Sequence, residues 1–280
     1  MKIRGLYNEA RRTLSEVTED PAFEAACLME KIFGLNRTGL LTHGDREAQA
    51  EQEAAFRLAV ERRVKGEPLQ YILGEWDFMA LTLLCGEGVL IPREDTAVLV
   101  ETVMERLGGR KKPVGLDLCA GTGAVALSLA RETGAAVTAV ELFDGALDYL
   151  KKNIERYPAL SVRAVQGDVL SPEFAAKLPV GLDFIASNPP YIETAELPGL
   201  QREVQREPKT ALDGGEDGLL FYRVITAVWS EKLRAGGVLA VEIGETQGEA
   251  VAALFAKAGL RDIRIDQDTA GLDRVVSGMK

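Results

Sequence analysis

Val114-Gly115-Leu116-Asp117-Leu118-Cys119-Ala120-Gly121-Thr122-Gly123 reads as a short apolar strand running into a glycine turn. Residues 124–131 continue it with helix formers at helical apolar spacing. Gly121 and Gly123 let the backbone come close to a ligand and take conformations that a side chain forbids. Strand, glycine turn and helix in that order open a dinucleotide fingerprint, here with two of its glycines. Working outward, residues 136–140 form a second apolar strand that ends in Glu141. An acid at that position accepts hydrogen bonds from both hydroxyls of a ribose. A third strand, 161–166, ends in Gly167-Asp168-Val169, which places another acid where an adenine is read. One glycine loop and two acidic strand ends describe a nucleoside site without a pyrophosphate cradle.

The fourth strand, 182–187, closes on Asn188-Pro189-Pro190-Tyr191. Neither proline has an N–H for a sheet ladder, so the strand must stop there. What the turn offers is an Asn side chain and unpaired carbonyls, held rigidly at the strand end where open α/β sheets bind ligands. Fixed acceptors of this kind suit the gripping of a planar –NH2 group, with Tyr191 as a flat apolar face beside it. Taken alone, Asn-Pro-Pro is equally a proline-stiffened turn. The nucleoside site upstream decides for chemistry, and S-adenosylmethionine fits that site better than NAD.

The remaining sequence frames this core. Hydrophobic residues make up 46% and charged residues 27% of the 280, as in soluble globular proteins. No apolar run is long enough to span a bilayer, and no leader signal is apparent. Cys27, Cys85 and Cys119 stand singly among apolar neighbours, which suits reduced thiols in the cytoplasm rather than disulfides or a metal site. His43 is the only histidine, so chemistry needing more than one is excluded. Residues 1–66 carry 11 basic and 11 acidic side chains, which leaves the whole net charge of −10 in 67–280. Neither part has the basic excess of a duplex binder, so a protein substrate is the better expectation than direct nucleic-acid contact.

Residues 1–66 show helix after helix, with Asp20-Pro21 as an N-terminal signal and Gly34 as a break. Residues 67–92 read as a β-hairpin linker whose first strand is 69–74. Residues 93–280 alternate helix and strand, the signature of a parallel sheet covered on both faces, with last strands at 238–243, 261–265 and 274–277. The charged, aperiodic stretch 193–215 follows directly on the Asn-Pro-Pro-Tyr turn, and a loop of that length is usually functional.

With these segments in hand, the chain resembles the HemK-like protein-(glutamine-N5) methyltransferases, which modify peptide-chain release factors. The resemblance spans nearly the whole chain. It is carried by Pro68-Leu69-Gln70-Tyr71-Ile72-Leu73-Gly74, Ile91-Pro92-Arg93, the 117–123 loop, the Ser187-Asn188-Pro189-Pro190-Tyr191-Ile192 turn, Ala211-Leu212-Asp213-Gly214-Gly215 and Glu242-Ile243-Gly244. The Asn-Pro-Pro-Tyr turn is shared with DNA and RNA amino-methyltransferases, whereas the first two segments are specific to the release-factor enzymes. Departures are Cys119-Ala120 where Gly-Thr is common, Glu141 for Asp, Ala97 for Glu and Ala80 for Gly.

The resemblance implies an α/β, Rossmann-like class I methyltransferase sheet preceded by a small helical bundle that docks the substrate. It implies S-adenosylmethionine as methyl donor and the glutamine of a Gly-Gly-Gln loop in bacterial class I release factors as acceptor. Asn188 and Pro189 become the expected catalytic residues, with Pro190 and Tyr191 beside the substrate. Cys119, Ala120, Gly121, Thr122, Gly123, Glu141, Asp168, Val169 and Asn188 become the expected cofactor residues. A monomer without metal or membrane contact completes the expectation. Two rivals share these features: an adenine-N6 or cytosine-N4 methyltransferase acting on a flipped base, and a non-catalytic S-adenosylmethionine-binding protein.

Overall fold

The computed structural model describes all 280 residues and divides into two compact units, Met1–Glu75 with Gln201–Arg206, and Trp76–Leu200 with Glu207–Lys280. The first unit holds α1 (Ile3–Leu14), α2 (Pro21–Phe33), α3 (Arg37–His43), α4 (Ala50–Val64) and α5 (Leu69–Leu73). Local signals set its boundaries: Asp20 accepts the Phe23 N–H at 3.0 Å with Pro21 in the first turn, and left-handed Gly34 ends α2. Within the unit, buried Arg63 on α4 bonds Glu24 on α2 at 2.7 Å and Glu203 of the 201–206 segment at 2.8 Å. Each charge is thereby paired, which a buried ion requires.

The expected strand at 69–74 is a helix. The Pro68 carbonyl accepts from Tyr71 and Ile72, and Gly74 at φ 78° closes the turn, so caps outweigh the β-leaning Tyr71 and Ile72. Only β1 (Glu75–Phe78) and β2 (Leu81–Leu84) form the hairpin.

In the second unit a 3-10 turn, Glu94–Thr96, leads into α6 (Ala97–Leu107). Then follow β3 (Val114–Leu118), α7 (Ala124–Thr133), β4 (Ala136–Glu141), α8 (Asp144–Arg156), β5 (Val162–Gln166), α9 (Pro172–Ala176) and β6 (Leu182–Ser187). After α10 (Leu220–Val224) come β7 (Leu233–Glu242), α11 (Gly248–Lys257), β8 (Arg261–Gln267) and β9 (Asp273–Met279). The seven strands lie in the order β5-β4-β3-β6-β7-β9-β8. Strands β3 to β7 are mutually parallel, but β9 runs antiparallel to both neighbours, so the sheet is not wholly parallel as expected. The five residues between β8 and β9, closed by Asp268 N to Leu272 O at 2.9 Å, are too few for a crossover and force a hairpin.

Along β6, Phe184 and Ala186 bury into one core with α6 and α7, while Ile185 between them buries into the other with Tyr222, Trp229 and Phe255. That alternation is the period of a strand covered on both faces. The strand order reverses at β3, whose neighbours are β4 and β6, and the carboxyl ends there form the crevice where open α/β sheets bind ligands.

Candidate active site

The turn after β3 has three residues in left-handed backbone: Cys119 at φ 59°, Gly121 at φ 54° and Gly123 at φ 85°. Glycine adopts this freely and cysteine does not. A Cβ on Gly123 would lie 2.7 Å from Leu150 Cδ1, whereas one on Gly121 would meet only Val89 Cγ2 at 3.9 Å, so the turn leaves space on its ligand side. Because branching at Cβ worsens the left-handed clash, Cys119→Val is expected to lower stability by about 1–2 kcal/mol, read as a fall in Tm. Cys119→Gly, which removes the clash, should show no such fall.

Glu141, at the end of β4 and 7% exposed, holds this turn. Its Oε2 accepts the Gly121 N–H at 2.9 Å, and Oε1 accepts Leu142 and Phe143 N–H at 2.8 and 3.0 Å. A carboxylate has about four lone-pair sites. The side chain therefore builds the loop first and keeps a single acceptor site for a ligand, where the sequence suggested two. Asp168 caps its own turn through Leu170 N–H at 2.8 Å, and the Val169 carbonyl is held by Trp229 Nε1 at 2.9 Å.

These ends enclose a cavity of about 450 Å³, within the usual range for small-molecule sites. Cys119, Ala120, Gly121, Thr122, Glu141, Asp168, Val169, Asn188 and Pro190 line it. Gly123, Pro189 and Tyr191 are not on its wall: Gly123 packs on Leu150, Pro189 is buried beside Asn188, and the Tyr191 ring packs against the second core. No backbone hydrogen bond within the chain reaches the carbonyl of Asn188, Pro189 or Pro190, so these acceptors are unpaired.

The wall carries Asp117, Glu141, Asp168 and Asp213 against two bases, Arg93 and Lys209. Arg93 is paired with buried Glu207, whose Oε2 also accepts Ile91 N–H at 2.9 Å. Burial pushes Asp117 up to about 8 despite the Ala126 N–H at its carboxylate. A cationic ligand relieves that cost by favouring the ionised form. A sulfonium nucleoside, positively charged and lacking phosphates, fits this wall and the open turn at Gly121.

What the sequence did not reveal is how the Asn-Pro-Pro-Tyr turn is held. Ile192 pairs with Asp213 in a parallel bridge, Gly214 N donates to Ile192 O at 2.8 Å, and Gln247 Nε2 donates to Tyr191 O at 2.9 Å. A Cβ on Gly214 would sit 2.7 Å from Tyr191 Cα and 2.9 Å from Gly218 Cα, both backbone atoms that cannot turn aside. Gly214→Ala is therefore expected to shift the turn by a fraction of an ångström and lower kcat about tenfold, short of the roughly hundredfold cost of a 1 Å misplacement. Cofactor affinity, measured by calorimetry, should change little, since Gly214 is not on the cavity wall.

Comparison with known proteins places the chain. Residues 5–74 match the family described as "PrmC N-terminal domain", and residues 94–251 match "Methyltransferase small domain". A release factor glutamine methyltransferase of Geobacter sulfurreducens is 41% identical over 99% of this chain and 96% of its own. One from Moorella thermoacetica is also 41% identical, over 98% and 97% respectively. Among solved structures, the hMettl16 catalytic domain, in complex with an RNA hairpin, superposes with TM-score 0.58 at 15% identity over 82% of each chain. At that identity the likeness concerns the fold alone, a Rossmann-like class I methyltransferase sheet.

Proposed function

We propose that this chain, which belongs to the family of release factor glutamine methyltransferases, methylates the side-chain amide nitrogen of the glutamine in the Gly-Gly-Gln loop of bacterial class I release factors. It is a methyltransferase, and its cofactor is S-adenosylmethionine. The observation that carries the reading is Asn188, which lines the cavity formed by the ends of β3 to β6 while its side-chain nitrogen is held by Thr96.

When bound, S-adenosylmethionine supplies a methyl group activated by its sulfonium. Cys119 to Thr122 would hold its amino-acid portion, Glu141 would accept from the ribose, and Asp168 and Val169 would flank the adenine. A primary amide nitrogen is a poor nucleophile because its lone pair is delocalised into the carbonyl. Asn188 Oδ1 and the free carbonyl of Pro189 each accept one amide hydrogen, which pulls the nitrogen towards a tetrahedral shape and aims its lone pair. Such orientation supplies roughly 7–11 kcal/mol in favourable systems. The methylated amide loses its proton to water, so no strong base is needed.

Labelled S-adenosylmethionine incubated with release factor, or with unmethylated DNA and RNA, tests the reading. Label on the Gly-Gly-Gln glutamine is expected, and label on nucleic acid alone overturns it. Calorimetry addresses the non-catalytic rival, because absence of binding at millimolar cofactor overturns the enzyme reading.

A further inference from the structure

Asn188 serves the proposed reaction only if its oxygen, not its –NH2, faces the substrate, because a primary amide brings two donors. The two ends of an Asn side chain are nearly equal in shape, so a partner must hold the –NH2 end back. That partner is Thr96. Asn188 Nδ2 donates to Thr96 Oγ1 at 3.2 Å, and Thr96, in the turn before α6, is 4% exposed. A hydroxyl that accepts from Asn188 has its own proton left to place.

Glu242 stands where that proton is needed. It ends β7, which runs parallel to β6 with Val241 beside Ser187, so Glu242 and Asn188 are the next residues on adjacent strands. Its side chain is 1% exposed, and Oε2 has no hydrogen-bond partner. A buried orphan acceptor costs about 1–3 kcal/mol and demands an explanation. The Thr96 and Asn188 side chains both face this carboxyl group.

We propose that Glu242 and Thr96 are positioning residues: the Glu242 carboxylate accepts the Thr96 hydroxyl, which fixes Thr96 Oγ1 as the acceptor for Asn188 –NH2 and turns Asn188 Oδ1 toward the substrate amide. The inference rests on the reading of Asn188 given above. It has a pH signature. Burial pushes Glu242 up to about 7, and neighbouring Asp95 raises it too, while Thr96, Arg274 and Asn188 favour the carboxylate. Tyr222 donates to the Glu242 backbone carbonyl at 2.9 Å, and burial raises Tyr191 and Tyr222 so that both stay neutral. A protonated Glu242 becomes a donor to Thr96 and frees the hydroxyl to turn round, so the active form is the ionised one. The rate should then fall as pH drops below about 7.

Steady-state kinetics on release factor, with cofactor affinity measured by calorimetry, test this. Thr96→Val is expected to lower kcat about tenfold to a hundredfold, the loss that goes with misplacing an active group by up to about 1 Å, with a much smaller change in cofactor Kd. Thr96→Ser should restore most of the rate, which a packing role for the methyl would not allow. Glu242→Gln should abolish the fall in kcat below about pH 7 seen in the unsubstituted enzyme. A wild-type kcat in Thr96→Val, or an unchanged pH profile in Glu242→Gln, overturns the inference while leaving the functional reading intact. If Thr96→Val does not fold, the serine variant and the Glu242→Gln profile decide. An unsubstituted enzyme that binds cofactor but leaves release factor unmethylated overturns the functional reading itself.

Discussion

Asn188→Ala is expected to lose methyl transfer to release factor by about a hundredfold or more while the fold and most of the cofactor affinity persist. The side chain stands at the end of β6 on the cavity wall, and its oxygen is the end not engaged by Thr96. Loss of one preorganised partner at a reacting centre typically costs on the order of 3 kcal/mol. Truncation leaves the backbone of the turn in place, because Ile192, Asp213, Gly214 and Gln247 hold it independently of that side chain. The loss should therefore fall on kcat, with cofactor Kd nearly constant by calorimetry. Asn188→Asp is the sharper variant. It keeps shape and one oxygen but adds a negative charge near a sulfonium that becomes neutral during transfer, favouring the charged ground state, so it too should be impaired. A near wild-type rate in Asn188→Ala would reduce the turn to a structural element and remove the catalytic assignment.

Glu141→Ala carries the second large effect, and it falls on cofactor binding. Three N–H groups, of Gly121, Leu142 and Phe143, lose their acceptor at once. Each unmade bond costs about 1–3 kcal/mol where water cannot replace it. The glycine turn loses its tether to β4, and the ligand loses the one lone pair still free. Weakening of cofactor Kd by at least about a hundredfold, or roughly 3 kcal/mol, is expected, together with a lower Tm. Glu141→Gln separates the two roles, since its remaining oxygen still accepts from Leu142 and Phe143 while its –NH2 meets the Gly121 donor. It should keep more stability than affinity. A Kd for Glu141→Ala within about twofold of wild type would show that the acid only braces the loop.

Much of this architecture was legible in the chain itself, because it rests on short-range chemistry. The glycine turn at 119–123, the acids ending β4 and β5, the proline stop after β6 and the cap at Asp20-Pro21 depend on residues within a few positions of one another. Left-handed φ values at Gly121 and Gly123 follow from that local requirement. The helix at Leu69–Leu73 is not legible in the chain because aromatic and β-branched residues there suggest a strand, while the deciding caps, Pro68 and Gly74, are equally at home in a hairpin.

Tertiary structure alone decided the rest. The sequence indicated three closing strands but not that β9 inserts between β7 and β8, since strand order depends on which edges meet after collapse. Thr96 and Asn188 are 92 residues apart, and Glu242 lies on another strand again. No periodicity or cap links such positions. Parallel pairing of β6 with β7 brings their ends together, and burial then makes each polar group depend on its neighbours for a partner. The kind of site, a nucleoside pocket beside a proline-stiffened turn with unpaired acceptors, is readable in the chain alone. Which side chains hold that turn in working order was settled only by packing, because unsatisfied donors and acceptors acquire their cost only once water has been excluded around them.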